Sequence, residues 1–197
     1  MKKVFCLLAL PLTLIACNNS GKDSVEKADS LNEAKSDSTN DRKDTTNKNG
    51  MLGVDESTSS FLVNVADVSM TEVKLGKIAE EKAHSKRVKE FARMMVADHS
   101  KANEELKSLA ASKNVTLPKE VGEEHQKKID DLNKKKGKDF DQGYMDMMED
   151  GHESTVKDFE GKTDNNDPDV KAFVNKMLPT LRMHLDSAKA IKKAVKQ

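Results

Sequence analysis

Four stretches of this sequence repeat one pattern. Apolar residues recur three and four apart, and each run is interrupted once by an ionisable side chain. The first run is Val65, Val68, Glu72, Leu75 and Ala79. The second is Val88, Phe91, Met95, His99, Ala102, Leu106 and Leu109. Tyr144, Met145, Met148, His152, Val156 and Phe159 make the third. Val170, Phe173, Met177, Leu181, His184, Ala188, Ile191 and Val195 make the fourth. That spacing puts side chains on one face of an α-helix. Four long helices with one apolar stripe each can bury those stripes only against one another, which leaves a helical bundle. Strands are disfavoured, because they draw on aromatic and β-branched residues. Here aromatics make up 4%, Trp is absent, and charged residues make up 35%.

Boundary signals divide the runs. Ser57 and Thr58 are placed to cap the first helix, and the second starts from about Ser85. "SKNVTLP", residues 112–118, ends the second helix. Residues 119–136 follow as a further amphipathic helix with Val121, His125, Ile129 and Leu132 on one face, Pro118 in its first turn and Gly137 as its break. The third main helix starts near Asp139. "GKTDNND", residues 161–167, closes it, and Asp167 with Pro168 opens the fourth. The first pair and the last pair have short links, so each is expected to be an antiparallel hairpin. A central link of about 18 helical residues rises about 27 Å, enough to run the length of a bundle. The expected fold is all-α: a ferritin-like four-helix bundle with an additional crossover helix, preceded by a disordered tether. An up-down bundle with a loosely packed fifth helix is the alternative.

The N-terminus reads as a targeting segment. Lys2 and Lys3 precede an apolar run at residues 4–16, too short for a membrane-spanning helix. It ends in "LIAC", residues 14–17, which resembles a bacterial lipobox. The resemblance implies that residues 1–16 are a lipoprotein signal peptide and that Cys17 is the lipid attachment site, a contact with the membrane. Asn18 rather than aspartate follows Cys17, which points to the outer membrane, facing the periplasm. Residues 17–56 then form a lipidated N-terminus and flexible linker, and residues 57–197 the bundle domain. The linker is rich in Ser, Asp, Asn, Lys and Thr and lacks the apolar content to order itself, although a transient helix can form from about residue 25 to 35. The two cysteines are Cys6, inside the leader, and Cys17, so the remaining chain has no thiol for a disulfide or a thiolate metal site. Basic and acidic residues balance at 34 each. No nucleic-acid partner is expected without a basic surplus, and "NKKKGK", residues 133–138, reads as a solvated helix end.

The interruptions of the four stripes are the candidate functional residues: Glu72, His99, His152 and His184, with His125 doing the same on the linking helix. Unpaired ionisable groups are costly to bury, so these should find partners. Counting residues from the hairpin turns puts Glu72, His99 and His152 at one depth, with His184 roughly 7–12 Å away. Pro179, inside the fourth helix, lacks an N–H and is expected to kink it. Three readings stand side by side: satisfied core histidines, a transition-metal site suited to Zn, Fe, Mn or Cu, and a pH-sensing histidine cluster. A di-iron centre wants two Glu-x-x-His motifs. Only "EDGH", residues 149–152, fits, which adds Glu149 to the candidate ligands and counts against a redox enzyme. Met94, Met95, Met145, Met148, Met177 and Met183 lie near the histidines; they are either copper-type ligands or gap-fillers of an aromatic-poor core.

The segments around Glu72 to Leu106, "DFDQGYMDMMEDGHESTVKDFE" and "LPTLRMHLDSAK" together resemble the bacterial envelope family called domain of unknown function 4142, over about residues 60–191. The signature pieces are Asp98 with His99, His152, and Leu-Pro-x-Leu-x-x-His at residues 178–184. The resemblance implies a ferritin-like helical bundle exported to the envelope, and no defined activity. The expected role is a lipid-anchored binding or interaction module. The alternative is a metal-binding protein for storage or oxidoreduction.

Overall fold

A computed structural model of the chain describes residues 23–40 and 53–196. Cys17 and the apolar leader lie outside the described residues. The described residues form six helices: α1 (Ser24–Asn40), α2 (Glu56–Lys82), α3 (Lys86–Ser112), α4 (Glu123–Asn133), α5 (Gly137–Glu160) and α6 (Pro168–Val195). No strand occurs among the described residues.

The bundle is α2, α3, α5 and α6. The α2–α3 and α5–α6 hairpins pack most extensively, and α3 against α6 and α2 against α5 close the square. A close approach helps fix the first hairpin: a Cβ on Gly76 would lie 2.7 Å from Val96 Cγ2. α5 begins beside the α2–α3 turn, where the Asp141 carboxylate accepts the backbone N–H groups of His84 and Ser85 at 2.8 and 2.7 Å. α3 ends at the far end, so residues 113–136 must return along the whole bundle. That single long crossover makes every neighbouring pair of helices antiparallel, the ferritin-like arrangement the sequence predicts.

Cap chemistry sets the helix ends. Asp55, rather than Ser57 or Thr58, caps α2, its side chain accepting the Thr58 N–H at 2.7 Å. The two hydroxyl residues lie inside the first turn instead. Asp167 caps α6 with Pro168 in the first turn, as expected. Asn114, at φ 55°, ends α3 in a Schellman turn: Val115 N–H bonds to Ala110 C=O at 2.8 Å and Asn114 N–H to Ala111 C=O at 3.2 Å. The crossover is less helical than its sequence predicts. Pro118 sits in an irregular run before α4, and the helix begins only at Glu123. The run is held by side chains instead. Asp67 Oδ1 accepts the Gly122 N–H at 2.7 Å, and α1 bonds to Asn114, Thr116, Lys119 and Glu120.

α1 corrects the expectation of a solvated spacer for part of the linker. It packs on α2 and along residues 114–123. Asn32, 2% exposed, donates to Thr116 C=O at 3.0 Å and accepts Thr116 N–H at 2.8 Å. Ser24 Oγ accepts the N–H groups of Lys119 and Glu120.

The core divides into two apolar clusters. One holds Leu75, Phe91, Met95, Tyr144, Met148 and Ile191 among its members. The other holds Phe61, Leu106, Phe159, Val170, Phe173 and Leu181. Along every bundle helix the ionisable stripe residue falls between the two clusters, so a polar layer crosses the core.

Candidate metal centre

Each bundle helix contributes one side chain to this layer: Glu72 from α2, His99 from α3, His152 from α5 and His184 from α6. Their exposures are 4%, 6%, 0% and 1%. The three imidazole centroids lie 5.3 to 5.6 Å apart, in tilted or edge-on pairs. His184 is therefore level with the others, and the expected offset of one to two turns is overturned. The cause is the link after α5. α5 ends eight residues past His152, whereas α6 begins 16 residues before His184. The chain between does not turn sharply. It runs on along the bundle, and Asn165 donates to Thr58 Oγ1 in the first turn of α2 at 3.0 Å. Seven residues outside the helix thus take up the missing two turns. α6 continues through Pro179, which lies exposed on its outer face.

Each outer ring nitrogen lies close to at least one oxygen. His99 Nδ1 lies 3.0 Å from Glu72 Oε2 and 3.3 Å from Ser69 Oγ. His152 Nδ1 lies 2.9 Å from the Met148 carbonyl oxygen and 3.2 Å from Glu72 Oε1. His184 Nε2 lies 2.9 Å from Asp98 Oδ2. Satisfying this network with protons on those three nitrogens leaves a lone pair on each of the others. His99 Nε2, His152 Nε2 and His184 Nδ1 are buried and have no hydrogen-bond partner. One ring nitrogen from each histidine lies within 4.8 Å of the other two. Glu72 Oε2 also lacks a hydrogen bond, because its close approach to His99 is an ion-pair contact without hydrogen-bond alignment.

Electrostatics separates the members. Burial works to raise the Glu72 carboxyl, but the charge and contact of His99, with His152 and His184, outweigh it and hold the carboxyl down at about 2. His99 is pushed up: burial opposes its charge, yet adjacent Glu72 prevails, with Asp98 adding to it. Burial pushes His152 and His184 down, only partly offset by Glu72 and Asp98 respectively. Two of the three rings are thus held neutral, the state in which imidazole ligates a metal.

The other candidates lie elsewhere. Glu149, taken from the Glu-x-x-His pattern, pairs with Lys192 at 2.8 Å and is not among the grouped ligands. Three residues before His152 on a helix is a neighbouring direction, and here that direction meets α6 near its C-terminus. His125 pairs with Asp67 at 2.6 Å, away from the layer. Met95, Met145 and Met148 fill the first apolar cluster, Met94 packs against it and Met177 packs against the second. Met183 is 44% exposed. Asp98 is the residue whose role the sequence reasoning missed. It precedes His99 by one position, which turns it about 100° around α3 towards α6.

The profile of the family described as domain of unknown function (DUF4142) matches residues 43–191, and the chain belongs to that family. No curated protein and no solved structure gives a significant match. No described helix is long and apolar enough to cross a membrane.

Proposed function

We propose that this member of the family binds one transition-metal ion in its core through His99, His152 and His184. The observation that carries the proposal is the opposed state of the ring nitrogens. Each outer nitrogen is engaged by a carboxylate or a carbonyl, and each inner one is buried without a partner. Ligating histidines characteristically carry such an acceptor on the second nitrogen, which fixes the tautomer and aims the lone pair. A core chosen for packing alone gains nothing from three unsatisfied nitrogens. Nitrogens bound to a tetrahedral metal at about 2.0–2.1 Å lie roughly 3.3 Å apart, so ring nitrogens within 4.8 Å of one another need to close by up to about 1.5 Å. Glu72 and Asp98 orient the rings, and Glu72 supplies the charge that offsets the cation.

A shell of three imidazoles, His99 giving up its proton on binding, suits Zn, Fe or Cu better than Mn, which prefers oxygen donors. Three protein ligands leave a fourth position open, the pattern of reactive rather than purely structural zinc sites. The test is metal content. The full chain, purified in detergent without chelators, should carry close to one metal per molecule. Added Zn, Fe or Cu should raise the melting temperature of the stripped chain, because binding to the folded state alone stabilises it. Failure of all three metals either to co-purify or to shift melting would overturn the reading.

The cellular setting we propose is the bacterial envelope, through a lipid on Cys17. The lipobox-like "LIAC" supports it. Six residues separate Cys17 from α1, a reach of about 20 Å at most. With α1 docked, an anchored bundle would lie close to the bilayer, not at the end of a long leash. Cys17→Ser should release the protein from the membrane fraction or stall it with the leader attached; normal processing with retained membrane association would sink the idea.

A further inference from the structure

A cavity of about 420 Å³ lies between α2, α4 and α5. Its rim carries the exposed residues Asn64, Asp150, Ser154 and Asp158, and its inner wall includes buried Glu72. A second cavity, about 40 Å³, touches both Glu72 and His99 and shares Asn64, Thr155 and Asp158 with the first. Both are lined in part by Glu72, so each meets the polar layer from the side of that exposed rim. From these features we infer that the groove between α2 and α5 is the route by which a hydrated metal cation enters the tri-histidine site, with Glu72 as the carboxylate that receives it. The inference rests on the metal site proposed above.

The lining chemistry fits a cation. Carboxylates of Asp150, Asp158 and Glu72 and the hydroxyls of Thr71, Ser154 and Thr155 face Lys128 and His125. Hard oxygen donors can replace water ligands in steps, and a negative cleft raises the local cation concentration. Glu72 carries the argument beyond the charge of the rim. Its Oε2 is buried and lacks a hydrogen bond, while the same carboxylate touches two of the three histidines.

Gly151 supplies the opening. It sits mid-helix in α5, where glycine costs about 1 kcal/mol relative to alanine. A Cβ there would meet only Glu72 Oε1, at 4.0 Å, an ordinary contact. Packing therefore gives no reason for a glycine, whereas a longer side chain at 151 would extend into the cavity over Glu72.

The experiment measures how fast and how far the stripped full chain loads Co(II), read from its visible absorption bands, with Zn(II) as competitor. Gly151→Leu should reach the wild-type endpoint but load more slowly by about an order of magnitude or more, since entry must then await local opening of the bundle. The pair Asp150→Asn with Asp158→Asn, on the exposed rim, should slow loading by roughly tenfold at low salt and flatten its ionic-strength dependence. Wild-type rates in both variants would overturn the route. So would a Gly151→Leu protein that loads at the normal rate but no longer shows azide binding to the cobalt, which would make the groove a passage for exogenous ligands. A wild-type chain that binds no cobalt would overturn the site itself; loss of rate in the variants with the endpoint preserved supports the route.

Discussion

Asp67 and Glu72 lie five residues apart on α2, both are buried, and both face histidines. Asp67 is complete. Oδ1 takes the Gly122 N–H, Oδ2 takes His125 Nδ1 at 2.6 Å, and neither oxygen is left over. The pair clamps the crossover onto the bundle, and His125 remains partly exposed, so water reaches its ring. At Glu72 the same chemistry stops short. Its two oxygens are divided between two histidines, and the three inner ring nitrogens have nothing. Burial is costly only when a polar group is left unpaired. The fold thus demonstrates at Asp67 that it can finish such a pair, and leaves three unfinished imidazoles one turn and a half away.

The sharpest way to break this contrast is metal binding. His99→Ala, His152→Ala and His184→Ala should each abolish metal retention, and to the same extent, because the three rings share one level. His125→Ala should keep it in full. Loss of metal in His125→Ala, read by elemental analysis of the purified chain, would put both sites in one class. The next effect is energetic. Glu72→Gln in the stripped protein removes the charge opposing a buried imidazolium and should cost about 3–5 kcal/mol. Asp67→Asn keeps an acceptor for Gly122 and should cost about 1–3 kcal/mol. Equal urea midpoints for the two would show that Glu72 is no more than another structural carboxylate.

The pH dependence differs in sign. His152 and His184 are held below the ordinary value of about 6.5, so between that value and their folded values the unfolded chain binds more protons. Stability of the stripped protein therefore falls as pH drops through that window. His125 is pushed up, first by its bond to Asp67 against a smaller effect of burial. Its contribution is fully present below about 6.5 and is lost as pH rises through its folded value. His99 has the same sign as His125. Denaturation at about pH 6.5 and about pH 5, below the window in which His99 and His125 change, should show the acid loss, and His184→Gln should reduce it. An unchanged slope in that variant would mean the ring is not held neutral in the fold.

The features that were legible in the sequence share a cause. The four bundle helices show because their stripes are long and each buries one face. Glu72, His99 and His152 stand at one depth because residue counts through tight turns translate directly into distance. His184 was misplaced because residues 161–167 lengthen the chain along the axis, and no periodicity marks such a run. Glu149 pairs with Lys192 outside the layer, and sequence spacing does not say which neighbour a helix face meets. Asp98 was visible as part of the Asp-His pair, yet its partner lies 86 residues away. α1 was visible only as a transient helix from about residue 25 to 35, and its docking was missed for a different reason. It buries little apolar surface, chiefly Ala28, and is held by polar bonds to a backbone run whose path no local pattern reveals.

That weakly apolar attachment gives the smallest expected effect. Asn32 is a third buried polar group, and like Asp67 it is complete, with donor and acceptor both used by Thr116. Asn32→Ala removes two neutral hydrogen bonds worth about 1 kcal/mol each. Thr116 is only half-buried, so water can replace its partner. The loss then falls on α1, whose 17 mostly polar residues are marginal as an isolated helix. Amide exchange should accelerate across residues 24–40 and 115–123, while the four bundle helices and the metal content stay as they were. Unchanged exchange in α1 would mean that Ser24, Lys35 and Ala28 suffice to hold it. Loss of metal would join α1 to the polar layer, which the satisfied state of Asn32 argues against.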